Sequence, residues 1–177
     1  MSNHFIFIFP LLFVHTFCAL GQTGIDEAAH RITTADSVIL ISHVATNENH
    51  DKPEAIPNDT TSISFPSFFS GDDINPAIIV QRQLLSKSNI AALAKIIRKP
   101  IPKSNIGYVP LCFEPHHSIL IYNKGRLSYI DICFHCNGLV TSSDLNLNNT
   151  DFKNGKWKDM KVYFLRHGLT YEMEDKF

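Results

Sequence analysis

Six residues with ligand or nucleophile chemistry fall in one short stretch of the 177-residue chain: Cys112, His116, His117, Cys133, His135 and Cys136. Thiolate and imidazole are the usual zinc donors, and the C-x-x-C spacing of Cys133 and Cys136 lets two thiolates chelate one ion. Cys112, one of His116 and His117, Cys133 and Cys136 would complete a closed four-ligand zinc site of the structural kind. In an oxidising compartment the same residues would instead form a disulfide from Cys112 to Cys133 or Cys136, leaving one thiol over. A redox dithiol at Cys133-Phe134-His135-Cys136 fits less well, because such pairs open a helix, whereas Asn137-Gly138 signals a turn. Haem attachment is disfavoured, since Asn137 stands where C-x-x-C-H requires histidine.

These groups can meet only if the chain between them folds back. Ser118–Tyr122 and Leu127–Phe134 are β-branched and aromatic runs separated by Asn123-Lys124-Gly125-Arg126, which predicts a β-hairpin over 118–134. Two registers are open. A two-residue loop at Lys124-Gly125 makes paired residue numbers sum to 249, sets His116 opposite Cys133 and gathers Ile119, Ile121, Ile130 and Ile132 on one face. A three-residue loop with Gly125 as a bulge makes the sum 248 and sets His117 opposite Asp131. Turn chemistry favours the bulge, since lysine resists positive φ, whereas the hydrophobic pattern favours the shorter loop. In an enzymatic alternative, a metal- or thiol-dependent hydrolase or redox protein, a metal-bound water or a cysteine thiolate assisted by His117 and Asp131 would act; otherwise no residue is assigned a catalytic role.

Around this hairpin the sequence reads as an α+β domain: a small antiparallel sheet with packed helices. Ser37–His43 is a buried strand. Residues 45–75 are polar and interrupted by Pro53, Pro57 and Pro66, a mobile loop whose Phe65, Phe68 and Phe69 dock on the body. Ala77–Leu85 is ambiguous between helix and strand. Ser88 precedes Ile90, Leu93, Ala94 and Ile97 on one helical face, and Pro100 and Pro102 stop it, so 89–98 is an amphipathic helix. Trp157, Met160 and Phe164 recur at helical spacing before Gly168, a left-handed C-cap. His30, His43 and His50 stand isolated and read as ordinary surface or strand-end histidines.

Cys112-Phe113-Glu114-Pro115-His116-His117, the hairpin, and Ile132-Cys133-Phe134-His135-Cys136 together resemble an uncharacterised family of small exported bacterial proteins. The resemblance covers about 110–140 and extends to Phe164–Gly168. It implies no activity; its proline-variable-histidine pattern maps onto Pro115, His116 and His117 and favours His117. Separately, Val162–Thr170 contains Arg166-His167-Gly168, similar to the strand-then-RHG signature of histidine phosphatases. Only nine residues follow Gly168, too few to build the domain that signature begins, so a helix end at Gly168 is the expected reading.

Composition bounds the remainder. Lys+Arg of 16 against Asp+Glu of 17 leaves a net charge of −1, with no basic excess for a nucleic acid backbone or an anionic membrane surface. Phe5–Leu20 carries no formal charge and ends in Ala19-Leu20-Gly21, which reads as a signal peptide over 1–21 that also removes Cys18. The mature 22–177 is then a single α+β domain without a stable membrane span. The expectation is an exported protein, periplasmic or extracellular: a non-enzymatic interaction module with a protein partner and a Cys/His hairpin tied by structural zinc or a disulfide. Asn58 and Asn148 begin glycosylation triplets, relevant only to a eukaryotic secretory route.

Overall fold

The computed structural model describes residues 23–46, 65–100, 113–152 and 154–173. Three helices, α1 (Thr23–Thr34), α2 (Lys87–Arg98) and α3 (Asn154–Arg166), accompany seven strands: β1 (Ser37–His43), β2 (Phe69–Ser70), β3 (Asp73–Ile74), β4 (Ile79–Leu84), β5 (His117–Asn123), β6 (Arg126–Cys133) and β7 (Gly138–Thr141). Five strands form an antiparallel sheet in the order β4-β1-β5-β6-β7, and β2 pairs with β3 as a small hairpin. The protein is therefore α+β with a sheet built around the β5–β6 hairpin. The segments 1–21 and 47–64 and Cys112 lie outside the described residues.

The hairpin takes the 249 register, with His117 opposite Ile132, Ser118 opposite Asp131 and Ile119 opposite Ile130. Lys124 and Gly125 both adopt positive φ, 50° and 76°, as a two-residue turn of this hand requires. A lysine there costs on the order of 1–2 kcal/mol. The four isoleucines gathered on one face each contribute about 1.5–3 kcal/mol when buried, so pattern overrides turn chemistry. Asp36 Oδ2 assists by accepting the Lys124 backbone N–H at 2.6 Å.

Each sheet face has its own cover. Val38, Leu40, Ile119, Ile121, Ile130, Ile132 and Leu139 pack on the helical layer through Ile25, Ile32, Leu93, Ile97, Met160 and Phe164. The opposite face, Ile39, Ile41 and Leu120, is covered by Phe68, Ile74 and Ile78. Phe68 and Phe69 do dock on the body, while Phe65 is half-buried.

Several element boundaries differ from the sequence reading. Helix α2 begins two residues early because Ser86, not Ser88, accepts the Asn89 backbone N–H as its cap. The ambiguous 77–85 stretch resolves into a 3₁₀ turn at Pro76–Ile78 followed by β4. Helix α1 is hidden from a hydrophobic search because two of its four core positions, Ala28 and Ala29, are alanines beside Ile25 and Ile32. Helix α3 ends as expected: Leu169 N–H reaches the Phe164 carbonyl at 3.2 Å, Gly168 N–H reaches that of Leu165 at 3.1 Å, and Gly168 sits at φ 80°. The ring of His167 donates from Nδ1 to the Tyr163 carbonyl at 2.8 Å. Arg166-His167-Gly168 is thus a capped helix end, not a strand followed by a phosphoryl-binding loop.

Candidate functional site

Polar groups collect at one end of the sheet, where β1 finishes, β5 begins and β6 runs into its turn. On the face covered by Phe68, the row Ile41–Ser118–Asp131 crosses three strands, and His43 lies two residues further along β1, past a register shift at Ser42/His43. His43, Ser118 and Asp131 are fully buried. His43 Nε2 lies 3.0 Å from Asp131 Oδ1, and Ser118 Oγ donates to the same oxygen at 2.9 Å. The edge of the His43 ring meets Phe68 at 5.4 Å between centroids.

Donor counting fixes the chemistry of this trio. His43 Nδ1 lies 2.8 Å from the Val44 carbonyl, which can only accept, so Nδ1 carries a hydrogen. Nε2 and Asp131 Oδ1 must then share one proton between them, either as imidazolium and carboxylate or as neutral ring and acid. The composition is that of a Ser-His-Asp triad, but the connectivity is not. Ser118 gives its hydrogen to Asp131 rather than to histidine, and both nitrogens of His43 are engaged, so no base is offered to Ser118.

The two histidines singled out by sequence are separated by the pleat. His116, half-buried, donates from Nδ1 to the His43 carbonyl at 3.1 Å, while the His43 N–H returns to the His116 carbonyl at 2.9 Å. Its Nε2 is 3.8 Å from Glu114 Oε1, and its ring meets Tyr171 edge-on. His117 faces the helical layer, between Phe134 and Phe164 at 5.1 and 5.6 Å. Burial, followed by the nearby His43 and His116 rings, lowers its pKa to about 3. A hydrogen bond to the Tyr171 backbone holds the ring, and Nε2 has no partner.

Cys133 is the last residue of β6, and the turn Phe134–Asn137 leads into β7, with Cys133 opposite Gly138 and Asn137 at φ 51°. Cys133 and Cys136 form a disulfide, and the Cys136 backbone N–H points at Cys133 Sγ at 3.3 Å. This corrects the pairing of Cys112 with either one: β6 and its turn place Cys133 and Cys136 beside each other, within bonding reach. His135 is exposed on the turn.

Of the five ligands read from sequence, the structure thus places His116 and His117 on opposite sides of β5, joins Cys133 to Cys136, and leaves Cys112 outside the described residues. Among the described residues no three His, Cys, Asp or Glu groups are arranged to hold a metal ion. The pairing of His117 with Asp131 is also corrected, because the 249 register puts them on opposite faces and gives Asp131 to His43 and Ser118. Sequence reasoning missed His43 and Ser118. The usable signal was Asp131 itself: an acid between Ile130 and Ile132 inside a buried strand demands partners.

No protein-family model matches the chain, and no match is found among curated proteins or solved structures.

Proposed function

We propose that this chain is an exported protein, periplasmic or extracellular, acting as a non-enzymatic interaction module whose Cys/His turn is tied by a disulfide. The observation that carries the reading is the Cys133–Cys136 bond, since disulfides persist in oxidising compartments. The uncharged apolar run Phe5–Leu20 points the same way. The exposed Val80 and Leu84 on edge strand β4, 47% and 60% accessible, support contact with a protein partner. Among the described residues no helix is long and apolar enough to cross a membrane. The likeness to small exported bacterial proteins is part of the same proposal.

The test is the intact mass of the protein recovered from the producing cell's exterior, with thiol alkylation under denaturing conditions. Loss of residues 1–21 and a single alkylatable thiol, at Cys112, are expected. A chain that keeps its leader and alkylates at every cysteine would overturn the reading.

A second reading is a zinc site in the reduced protein, with Cys112, Cys133, Cys136 and one of His116 and His117 as ligands. It draws on His117, whose ring is held through one nitrogen by backbone while Nε2 keeps a buried, unpartnered lone pair, the disposition of a metal-ligating histidine. The disulfide does not fit, because thiolates rather than a disulfide bind zinc. One zinc gained only in the native mass, with three alkylatable thiols in the mature chain, would establish this reading in place of the first.

A further inference from the structure

We propose that the Cys133–Cys136 disulfide that ties the turn is also exchange-active, taking two electrons from a dithiol donor while the fold persists in both redox states. The inference rests on the exported reading, which supplies the oxidising surroundings in which the bond forms.

Loop size is the first reason. The bond spans only Phe134 and His135, and the β6–β7 ladder already holds the turn closed at the Cys133–Gly138 pair. A disulfide removes little unfolded-state entropy when its loop is so short, and here it restates a constraint that the ladder imposes. The sheet keeps Cys133 in place whether or not the sulfurs are joined, so both redox states are compatible with the same fold.

The second reason is the backbone donor. Cys136 N–H lies 3.3 Å from Cys133 Sγ, and a donor so placed stabilises negative charge on that sulfur. A stabilised thiolate is the better leaving group in exchange. Both cysteines are buried, but Cys136, in the turn and 5% accessible against 2% for Cys133, is the more open of the two, so Cys133 is the leaving sulfur and Cys136 the one attacked.

A donor thiolate attacks Cys136 Sγ, the S–S bond breaks, and its electron pair leaves on Cys133 Sγ facing the Cys136 N–H. The donor's second thiolate then attacks the mixed disulfide, releasing Cys136 as thiolate and closing the donor disulfide. In sum, protein disulfide and dithiol become protein dithiol and donor disulfide, with two electrons and two protons transferred.

The experiment titrates the oxidised full mature chain carrying Cys112→Ser in mixtures of reduced and oxidised glutathione, with alkylation, mass readout and circular dichroism on each sample. A single two-electron transition is expected, going from about one tenth to nine tenths reduced over roughly a hundredfold change in the redox quotient, with unchanged dichroism. A bond that reduces only after the chain is unfolded, or whose reduction itself unfolds the chain, would overturn the proposal. Should Cys112→Ser fail to fold, the native chain is titrated and the alkylated cysteines are located by peptide mapping. The leaving sulfur is read from Cys136→Ser and Cys133→Ser in the same background. The Cys133 thiol of the first should alkylate with a pH midpoint at least tenfold lower in proton affinity than the Cys136 thiol of the second; equal midpoints refute the assignment. Leader cleavage is read on the same spectra, so failure of export and failure of exchange are told apart.

Discussion

The hydroxyl of Ser118 and the imidazole of His43 meet on a single oxygen, Asp131 Oδ1, at 2.9 and 3.0 Å, and this shared acceptor joins the three central strands of the sheet beneath Phe68. Three residues often met as a catalytic relay are here connected as a buried knot. Its stability consequences can be measured.

Asp131→Ala removes the common partner and leaves Ser118 Oγ and His43 Nε2 buried without it. We expect a loss of about 3–5 kcal/mol, seen as a lower urea midpoint at unchanged slope. The double change His43→Leu with Asp131→Leu should cost less than the sum of its singles by about 2 kcal/mol or more. Simple additivity would mean that the two side chains do not depend on each other.

Acid should weaken the fold through His117. Its folded pKa of about 3 lies below the unfolded value near 6.5, so the unfolded chain binds the extra proton between those limits and stability falls as pH drops. The contribution is fully present above the unfolded value and amounts to a loss of about 2 kcal/mol on going from pH 7 to pH 5. His117→Phe keeps the aromatic packing against Phe134 and Phe164 and removes the titration. Denaturant curves at the two pH values should show a smaller difference for the variant; an identical difference would assign the acid sensitivity elsewhere.

Gln81 fastens the segment after α3 to the sheet. Its Oε1 accepts from Ser42 Oγ at 2.9 Å and from the backbone N–H groups of Thr170 and Tyr171 at 2.8 and 3.0 Å. Gln81→Leu should cost about 1–3 kcal/mol. It should also raise amide hydrogen exchange at Thr170 and Tyr171 more than at Leu120 in the sheet interior. Uniform acceleration would indicate global destabilisation without a local fastening.

Lys124 holds a left-handed conformation that asparagine adopts more readily. Lys124→Asn retains the backbone N–H that Asp36 accepts, and should raise stability by roughly 0.5–1 kcal/mol. A thermal midpoint that falls would show that the lysine side chain contributes more than its backbone strain costs.

Much of the frame was readable from residue order. Ser37–His43 announced a strand through its β-branched run, and Ser118–Phe134 announced a hairpin through Asn123-Lys124-Gly125-Arg126. The helical spacing of Leu93, Ala94 and Ile97, and of Trp157, Met160 and Phe164 ahead of Gly168, announced α2 and α3. Helix α1 was not readable as a hydrophobic stripe, because alanine carries little apolar surface to mark a face. Strand β7 was hidden by the brevity of Gly138–Thr141 and by a turn signal at its start.

Residue order settles what is local: which segments extend, which coil, where turns fall, and that Cys133 and Cys136 share a turn, since each depends on neighbours a few residues apart. The tertiary structure alone decided who meets whom across strands. The burial energy of four isoleucines selected the 249 register over the one that Lys124 would prefer, and that single step put Asp131 with Ser118 and His43 and turned His117 to the helical face. Register is a collective property of two strands and the layer beneath them, so partners 13 and 88 residues apart, Ser118 and His43 for Asp131, are set by packing and leave no local mark.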